Sequence, residues 1–387
     1  ERPGSLVGSE MCIRDSAFSA TNIGNYYISS KFAKSKESEI YKAWAWGNYN
    51  YQSKSKKILL YVKEQKEFEF LTFYSDCINF SRDLINSPAN KLNPSTYYSK
   101  IKNNNLFKSF NFIDYTEKEI NSNFPLTCAV GKSSSSKPKV IEITNRKLSK
   151  KDKPLVIIGK GVTFDTGGVN IKPGTSMRNM KKDMGGSAIA ISLFLLANYF
   201  LKKTKIVLIA PIAENAISSK SMRPGDVYSS VSGKSVEIAH TDAEGRLLLA
   251  DAIEKASSYN PCMIIDFATL TGAARVALGE DLPAYFCNNE TFAKKIENLN
   301  KEKLRCWRLP LYSPYLFKIK SQVADLSNAS LDGMAGSITA ALFLQEFLKS
   351  PNIPWFHFDT FAWSQDSKGA ALQGLDIMSD FLRKNFN

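Results

Sequence analysis

The sequence predicts an α/β protein with a mixed, mainly parallel sheet flanked by helices. After Leu126, short apolar runs rich in β-branched residues alternate with helical segments, which is typical of buried parallel strands joined by helical crossovers. The chain has 387 residues and 43% hydrophobic content. These values are sufficient for one large domain or two unequal domains with a substantial core.

The amino-terminal part of the chain carries less of this pattern. Residues 17–70 are polar and rich in tyrosine and lysine, and they end with the strand-like run Ile58–Val62. A helix is predicted over Phe73–Ile85, and the prolines and asparagines of Asn86–Ser95 end it. We expect residues 17–70 to be the truncated remnant of a smaller α/β domain and its linker.

Residues 1–16 have a separate interpretation. Glu10–Ser16 reads EMCIRDS, the translation expected from a transposon-end adapter used in sequencing libraries. We interpret this segment as a sequencing-adapter artefact and expect the genuine polypeptide to begin near Ala17 without its native amino terminus. No signal peptide is inferred from this end.

Four apolar runs predict strands, and two longer segments predict the helices between them. The strand-like runs are Val140–Ile143, Leu155–Ile158, Ile206–Ile209 and Met263–Phe267. The helical segments are Gly186–Leu201 and Leu247–Ser258. Each is long enough to be a crossover between parallel strands.

Composition narrows the class of protein. The best membrane candidate, Ser187–Leu201, is shorter than the roughly 18 apolar residues of a membrane span, so no membrane attachment is expected. Six cysteines without CxxC spacing predict a reducing compartment, and we expect the cytoplasm. The formal charge of +14 is carried by dispersed lysines, which favours a solvated surface and leaves weak attraction to nucleic acid as an alternative.

The first segment with candidate chemistry is Gly159–Gly174, which follows a predicted strand. It contains Lys160, Asp165 and Lys172 among five glycines, and ligands of open α/β sheets bind in the loops at the carboxyl ends of strands. A nucleotide-binding loop is disfavoured because the pattern GxxxxGK[ST] is absent. We expect this segment to be a sharply bent loop.

Three more carboxylates lie in two later segments. Asp183 lies near the amino terminus of a predicted helix, where a helix cap is the structural alternative. Asp242 and Glu244 are two residues apart, so an extended chain would place both side chains on one face. Thr241 with Glu244 also fits a capping box, and taken alone this segment favours capping.

The four carboxylates together point to metal chemistry. Converging in one cleft, they would repel each other unless protons or counter-ions compensate. Two divalent cations can activate a water and polarise a carbonyl, which is a route to amide hydrolysis without a serine or cysteine nucleophile. A histidine-based zinc site is excluded because His240 and His357 are the only histidines.

Three motifs in order carry a family resemblance. The segment GKGVTFDTGG, the spacing from Lys172 to Asp183, and TDAEGRL closely resemble signatures of the leucyl aminopeptidase (cytosol aminopeptidase) family of two-metal exopeptidases. The similarity continues through Phe80–Asn90, Ala129–Ile143 and Ala324–Phe347. It implies that residues 71–387 are a catalytic metallopeptidase domain.

The resemblance implies a role for each site residue. Asp165 and Glu244 would bridge two metal ions, zinc or manganese. The implied metal ligands are Lys160, Asp165, Asp183, Asp242 and Glu244. Lysine would coordinate only as the neutral amine, which metal charge favours.

Two cations have implied catalytic roles, and a third group of residues has an implied binding role. Lys172 would polarise the scissile carbonyl or stabilise the oxyanion, and Arg246 would hold a bicarbonate that relays a proton. The residues implied to line the first side-chain pocket are Met180, Thr269, Leu270 and Gly272. For Met180, ordinary core packing is an equal alternative.

The implied function is release of amino-terminal residues, leucine-like ones preferred, from peptide substrates by a homo-oligomer that is hexameric in the family. A nucleic-acid-binding protein and a different two-metal hydrolase, such as a phosphatase, are the rival functions. His240 stands where the family usually has asparagine. We expect it to orient the Asp242 loop, and simple surface exposure and direct metal ligation are the alternatives. His357 is expected to be a core histidine with satisfied hydrogen bonds.

Overall fold

The structure is a computed structural model that describes residues 4–6, 24–28, 34–47, 49, 51, 58–62, 64–301, 303–364 and 369–386. The predicted adapter segment therefore lies outside the described residues, apart from residues 4–6. The described chain divides into two compact units. The smaller one comprises the described residues up to Asp83 with Ser364 and Gly369, and the larger one comprises Leu84–Trp363 and the described residues from Ala370 onwards.

The smaller unit contains a three-stranded parallel sheet. Its strands, in spatial order, are Gly4–Leu6, Gly24–Ile28 and Ile58–Tyr61. Helix Lys34–Gly47 follows the second strand, and the long helix Gln65–Asn86 begins in this unit. That helix starts eight residues earlier than predicted from the sequence. The assignment of residues 17–70 to a domain remnant stays a prediction.

The larger unit is built on a nine-stranded mixed sheet among the described residues. The strands in spatial order are Trp307–Arg308, Ala284–Cys287, Trp355–Asp359, Met263–Ala268, Leu155–Gly159, Ile206–Asn215, Lys139–Thr144 and Asn111–Ile113, and Gly161–Asp165 also pairs with Ile206–Asn215. The predicted α/β fold class is confirmed, and the sheet is parallel at its centre.

One strand runs against the predicted direction. The run Val140–Ile143 was expected to be a buried parallel strand, but the observed strand Lys139–Thr144 pairs antiparallel with Ile206–Asn215. Asn111–Ile113 then continues the antiparallel edge. A fully buried strand presents the same apolar run in either direction, so the sequence pattern does not distinguish the two pairings.

Helices flank the sheet, and two smaller sheets are also present among the described residues. The helices are Pro94–Lys102, Glu117–Asn123, Pro125–Gly131, Gly174–Met177, Gly185–Phe200, Gly245–Ser258, Gly272–Leu278, Glu290–Asn300, Gly336–Gln345 and Leu375–Asn385, with 3₁₀ helices at Asn105–Phe107, Met180–Met184 and Ser313–Ile319. The smaller sheets are Val227–Ser229 with Ser235–Glu237 and Leu326–Ser327, and Trp363–Ser364 with Gly369–Ala370.

Helix Gly185–Phe200 packs unusually close to the sheet. A side chain at Gly186 would place its Cβ 2.2 Å from the carbonyl oxygen of Phe267, and one at Gly159 would lie 2.4 Å from Ser187 Cα. Met180–Phe200 is long and apolar enough to cross a membrane by length and composition, but 83% of its apolar window is buried inside the protein. Its burial is that of a core helix, and the close approach fixes the residues that precede it.

We expect Gly186→Ala to destabilise the protein by about 1–3 kcal/mol, because the added methyl group overlaps the neighbouring strand. Gly174→Ala is the matched control, since nothing lies within 4 Å of a Cβ built there. The midpoint of urea unfolding should fall for the first variant and stay constant or rise for the second. Equal midpoints would contradict the close-packing account.

Candidate metal centre and active site

The candidate site lies at the carboxyl edge of the central parallel strands. Lys160 lies between strands Leu155–Gly159 and Gly161–Asp165, and both strands pair with Ile206–Asn215. The sequence predicted a loop over Gly159–Gly174, but Gly161–Asp165 is a strand. The prediction is therefore wrong for the first part of this segment. Because the strand resumes after Lys160, Asp165 lies at the end of a strand segment and is held by the sheet.

Lys160 forms one of two ammonium bridges between carboxylates. Its Nζ lies 2.7 Å from Asp183 Oδ2 and 3.0 Å from Glu244 Oε1. It also donates a hydrogen bond to the carbonyl oxygen of Thr269 at 2.8 Å. Gly245 leaves the necessary room, since a Cβ there would lie 2.4 Å from Lys160 Cε. The glycine that follows Glu244 therefore has a steric function.

Lys172 forms the second bridge. Its Nζ lies 2.9 Å from Asp165 Oδ2 and also contacts Asp242 Oδ1. Asp165 Oδ1 accepts hydrogen bonds from the amide of Gly167 and from Asn215 Nδ2, both at 2.8 Å. The structure thus brings together the four carboxylates and both lysines singled out in the sequence.

The cluster has more carboxylates than ammonium groups, and this imbalance changes the pKa values of its members. Four ionised carboxylates against two ammonium groups leave two uncompensated negative charges. Burial, with the charge of Asp165, raises the pKa of Asp242 to about 7 and that of Glu244 to about 8. Burial alone would lower the pKa of Lys160, but the charges of Asp183 and Glu244 raise it. The site needs additional positive charge or protons.

The donor set fits divalent cations. Asp165, Asp242 and Glu244 each place a carboxylate oxygen within 4.8 Å of the others. Carboxylate oxygens suit manganese and magnesium, whereas an amine nitrogen from Lys160 suits zinc or cobalt. Two divalent ions would reverse the negative excess and allow Lys160 to lose its proton.

The chain around Asp242 and Glu244 is a turn, not the extended segment predicted from their spacing. Glu244 lies at the start of helix Gly245–Ser258 and makes no side-chain cap. The capping-box alternative is wrong as well, because Thr241 Oγ1 donates to the carbonyl oxygen of Gly167 at 2.5 Å. Gly167 adopts a φ of +87°, which only glycine tolerates readily.

Three buried or half-buried asparagines hold these loops and were missed by sequence reasoning. Asn215 Nδ2 donates to Asp165 and, at 3.1 Å, to the carbonyl oxygen of Thr241. Asn170 Oδ1 accepts from the amide of Thr241 at 2.9 Å. Asn328 Oδ1 accepts from the amide of His240 at 3.1 Å. Asn215 could have been recognised in the sequence as a polar residue at the end of an apolar strand.

Arg246 lies beside the carboxylates without lining the cleft. It is buried, its Nη1 donates to the carbonyl oxygen of Asn328 at 2.6 Å, and its Nε has no hydrogen-bond partner among the described residues. Burial lowers the pKa of Arg246 to about 10. A buried guanidinium with an unused donor can accommodate a small anion.

The two histidines differ in environment. His240 is exposed, and its Nδ1 accepts a hydrogen bond from the amide of Asp242 at 3.2 Å. This contact agrees with the expected orienting role. His357 is fully buried with Nδ1 2.5 Å from Asp266 Oδ1, but its Nε2 has no partner among the described residues. The expectation of a satisfied core histidine therefore holds for one ring nitrogen only.

A cleft of about 310 Å³ opens onto the carboxylates and both lysines. The four residues expected to form the first side-chain pocket line this cleft: Met180, Thr269, Leu270 and Gly272. Met180 is half-buried in the cleft wall, so simple core packing does not describe it. Thr269 Oγ1 donates to Asp183 Oδ1 at 2.8 Å, which couples the cleft wall to the metal centre.

A mixed α/β sheet with a cluster of carboxylates and lysines at its carboxyl edge is an α/β fold with a candidate metal site. Residues 79–378 match the catalytic domain of the cytosol aminopeptidase family. The chain belongs to the cytosol aminopeptidase family. The family resemblance read from the sequence motifs is confirmed.

Relatives and solved structures support the same assignment. The chain is 41% identical over 288 residues to a cytosol aminopeptidase of Encephalitozoon cuniculi, covering 73% of this chain and 58% of that protein. It is similar to the crystal structure of a cytosol aminopeptidase from Coxiella burnetii, with a TM-score of 0.88 and 36% identity over 96% of this chain and 83% of the other. The bottromycin maturation enzyme BotP in complex with Mn gives a TM-score of 0.86 at 27% identity, covering 96% and 86%. The chain spans only 58% to 59% of the length of curated relatives that it matches.

We expect Asn215→Ala to weaken binding of Mn²⁺ by about 10–100-fold, because Asp165 loses one of the two donors that orient it. Asn145→Ala is the matched control, since Asn145 Nδ2 makes two hydrogen bonds away from the carboxylates, to Asn198 Oδ1 and the carbonyl oxygen of Thr204. Calorimetric titration with Mn²⁺ measures both. Unchanged affinity in the first variant would exclude this positioning role.

Proposed function

We propose that the chain is a metal-dependent aminopeptidase that releases amino-terminal residues from peptides, with leucine-like residues preferred. The observation that carries this proposal is the cluster of two lysines and four carboxylates that lines the cleft. Each lysine in it lies between two carboxylates. Family membership over residues 79–378 supports it. We extend the proposal to the domain division, with residues 71–387 as the catalytic domain and 17–70 as the remnant of an amino-terminal domain.

Two divalent ions, zinc or manganese, would be held by the five predicted ligands: Lys160, Asp165, Asp183, Asp242 and Glu244. When bound, they would supply a water of lowered pKa and polarise the scissile carbonyl. The chain contributes the geometry: the sheet fixes Asp165, and the close-packed helix fixes Asp183. The free amine of a peptide terminus is a nitrogen donor that a bound divalent ion would accept, which suits an exopeptidase.

Lys172 is the proposed electrophilic group of the protein itself. Its ammonium lines the cleft and lies among the carboxylates, whose charges raise the pKa of Lys172 against the opposing effect of burial. A lysine side chain is ordinarily protonated at neutral pH, so the Lys172 ammonium can stabilise the oxyanion that forms during amide hydrolysis. Arg246, with its unused Nε donor, would hold a bicarbonate that accepts and returns a proton.

Substrate preference follows from the cleft wall. Met180 and Leu270 supply an apolar surface, and Thr269 and Gly272 also line the cleft. A leucine-like side chain gains free energy by leaving water for such a surface, roughly 1.5–3 kcal/mol if fully buried. We also infer a cytoplasmic location and assembly into a homo-oligomer. The family resemblance implies that this oligomer is a hexamer.

We expect the protein to release leucine from leucyl amide when zinc or manganese is added, and Glu244→Gln to reduce the rate at least about a hundredfold. Changes outside the ligand shell already cost 10–100-fold in metal sites, and Gln removes a ligand charge while keeping the side-chain shape. The control is Glu346→Ala, a half-exposed carboxylate paired with Lys234. No metal-dependent release by the unsubstituted protein would refute the proposed function.

We expect Lys172→Met to lower kcat by about 10²–10³-fold, as removal of an oxyanion donor does in other hydrolases. Lys320→Met, which removes an exposed lysine, should leave kcat unchanged. Calorimetric titration with Mn²⁺ separates loss of catalysis from loss of the metal centre, since Lys172 contacts two of the proposed ligands. A Lys172→Met enzyme with full kcat would show that this ammonium does not act in the reaction.

A further inference from the structure

One wall of the cleft carries two cations that the proposed reaction does not use. Lys182 is only 5% exposed, and its Nζ lies 4.4 Å from the centroid of the Phe361 ring. The guanidinium carbon of Arg275 lies 4.7 Å from the same centroid. All three residues line the cleft that contains the carboxylates. A single aromatic ring in the cleft wall therefore contacts two positive charges.

Neither cation has an anionic partner in direct contact among the described residues. Lys182 Nζ and the Arg275 guanidinium form no ion pair or hydrogen bond within the part of the chain that the structure describes. Lys160 and Lys172, by contrast, each bridge two carboxylates. A buried ammonium without an anionic partner is unfavourable, and contact with an aromatic face compensates it only in part.

The acidic groups nearby are already engaged. Asp183 is bound by Lys160 and by Thr269 Oγ1. Asp359 Oδ1 accepts from the amides of Leu270 and Thr271, at 3.2 and 3.1 Å. Glu280 also lines the cleft, but it forms no ion pair with Lys182 or Arg275. Among the described residues, no acidic group of the cleft pairs with the two cations, so a molecule in the cleft can supply the anion.

We propose that Lys182 and Arg275 bind a carboxylate carried by the peptide substrate. The planar guanidinium of Arg275 can bind both carboxylate oxygens, and Lys182 adds a point charge from the buried side. The carboxylate could be an acidic first side chain or the free carboxyl terminus of a dipeptide. The apolar wall at Met180 and Leu270 contacts the aliphatic part of the same substrate. This inference rests on the proposed function and names a class of substrate for it.

Two substrate pairs distinguish the sources of the carboxylate. Glutamyl amide against glutaminyl amide tests the side chain, and leucyl-glycine against leucyl-glycine amide tests the carboxyl terminus. The variants are Lys182→Met, which keeps the unbranched stem, and Arg275→Gln at an exposed position. Lys349→Met removes an exposed lysine without an ion pair and is the matched control. Thermal melting verifies that each variant is folded.

We expect the ratio of kcat/KM for the carboxylate substrate to that for its neutral partner to exceed one in at least one pair. Lys182→Met should lower that ratio about tenfold, the effect of losing one charge-assisted hydrogen bond. Arg275→Gln should lower it less, and Lys349→Met should leave it unchanged. Ratios near one in both pairs, or a preference retained in both cleft variants, would overturn the proposal.

A failure of the proposed function would be recognised separately. If the unsubstituted protein with added metal cleaves none of the four substrates, the aminopeptidase proposal fails, and the same compounds then serve as ligands in calorimetric titrations. Tighter binding of a carboxylate compound than of its neutral partner, lost in Lys182→Met, would support the carboxylate site. Equal binding of both partners would refute it.

Discussion

The compensation of charge among buried carboxylates is the constraint on which the rest of the site depends. Burying an ion costs several kcal/mol even after relaxation, and here four carboxylates lie close together. The chain solves this by alternation: Lys160 separates Asp183 from Glu244, and Lys172 separates Asp165 from Asp242. Each lysine must reach its position without displacing a neighbour. This requirement explains why Gly245 follows Glu244 and why Lys160 lies between two strand segments.

The sheet and the loops divide the work of holding this arrangement. Parallel strands bring their carboxyl ends to one edge, so Lys160, Asp165 and Asn215 lie there as a result of topology. The Asp242 turn has no such support and is held instead by side chains. Asn215 and Thr241 link it to the Asp165 loop. Loss of one asparagine would therefore change ligand orientation before it changed the fold.

Much of the fold could be predicted because buried parallel strands appear as short apolar runs. Leu155–Gly159 and Met263–Ala268 are buried throughout and were found within one residue. Strand Gly161–Asp165 was missed because its glycine-rich surroundings favour a loop. The ligand set was predicted from motif order, but the fit of Lys160 against Gly245 needs coordinates. Nothing in the sequence distinguishes Lys182, which lies in the cleft wall, from its neighbour Lys181.

The two ammonium bridges connect the electrostatics of the site to the packing of the core. Small zinc domains unfold without metal because their ligands are organised only by coordination. Here the strands on either side of Lys160 and the close-packed helix after Asp183 are part of the buried core. A core substitution that shifts this helix would therefore move Asp183 away from the Lys160 ammonium without changing any polar residue.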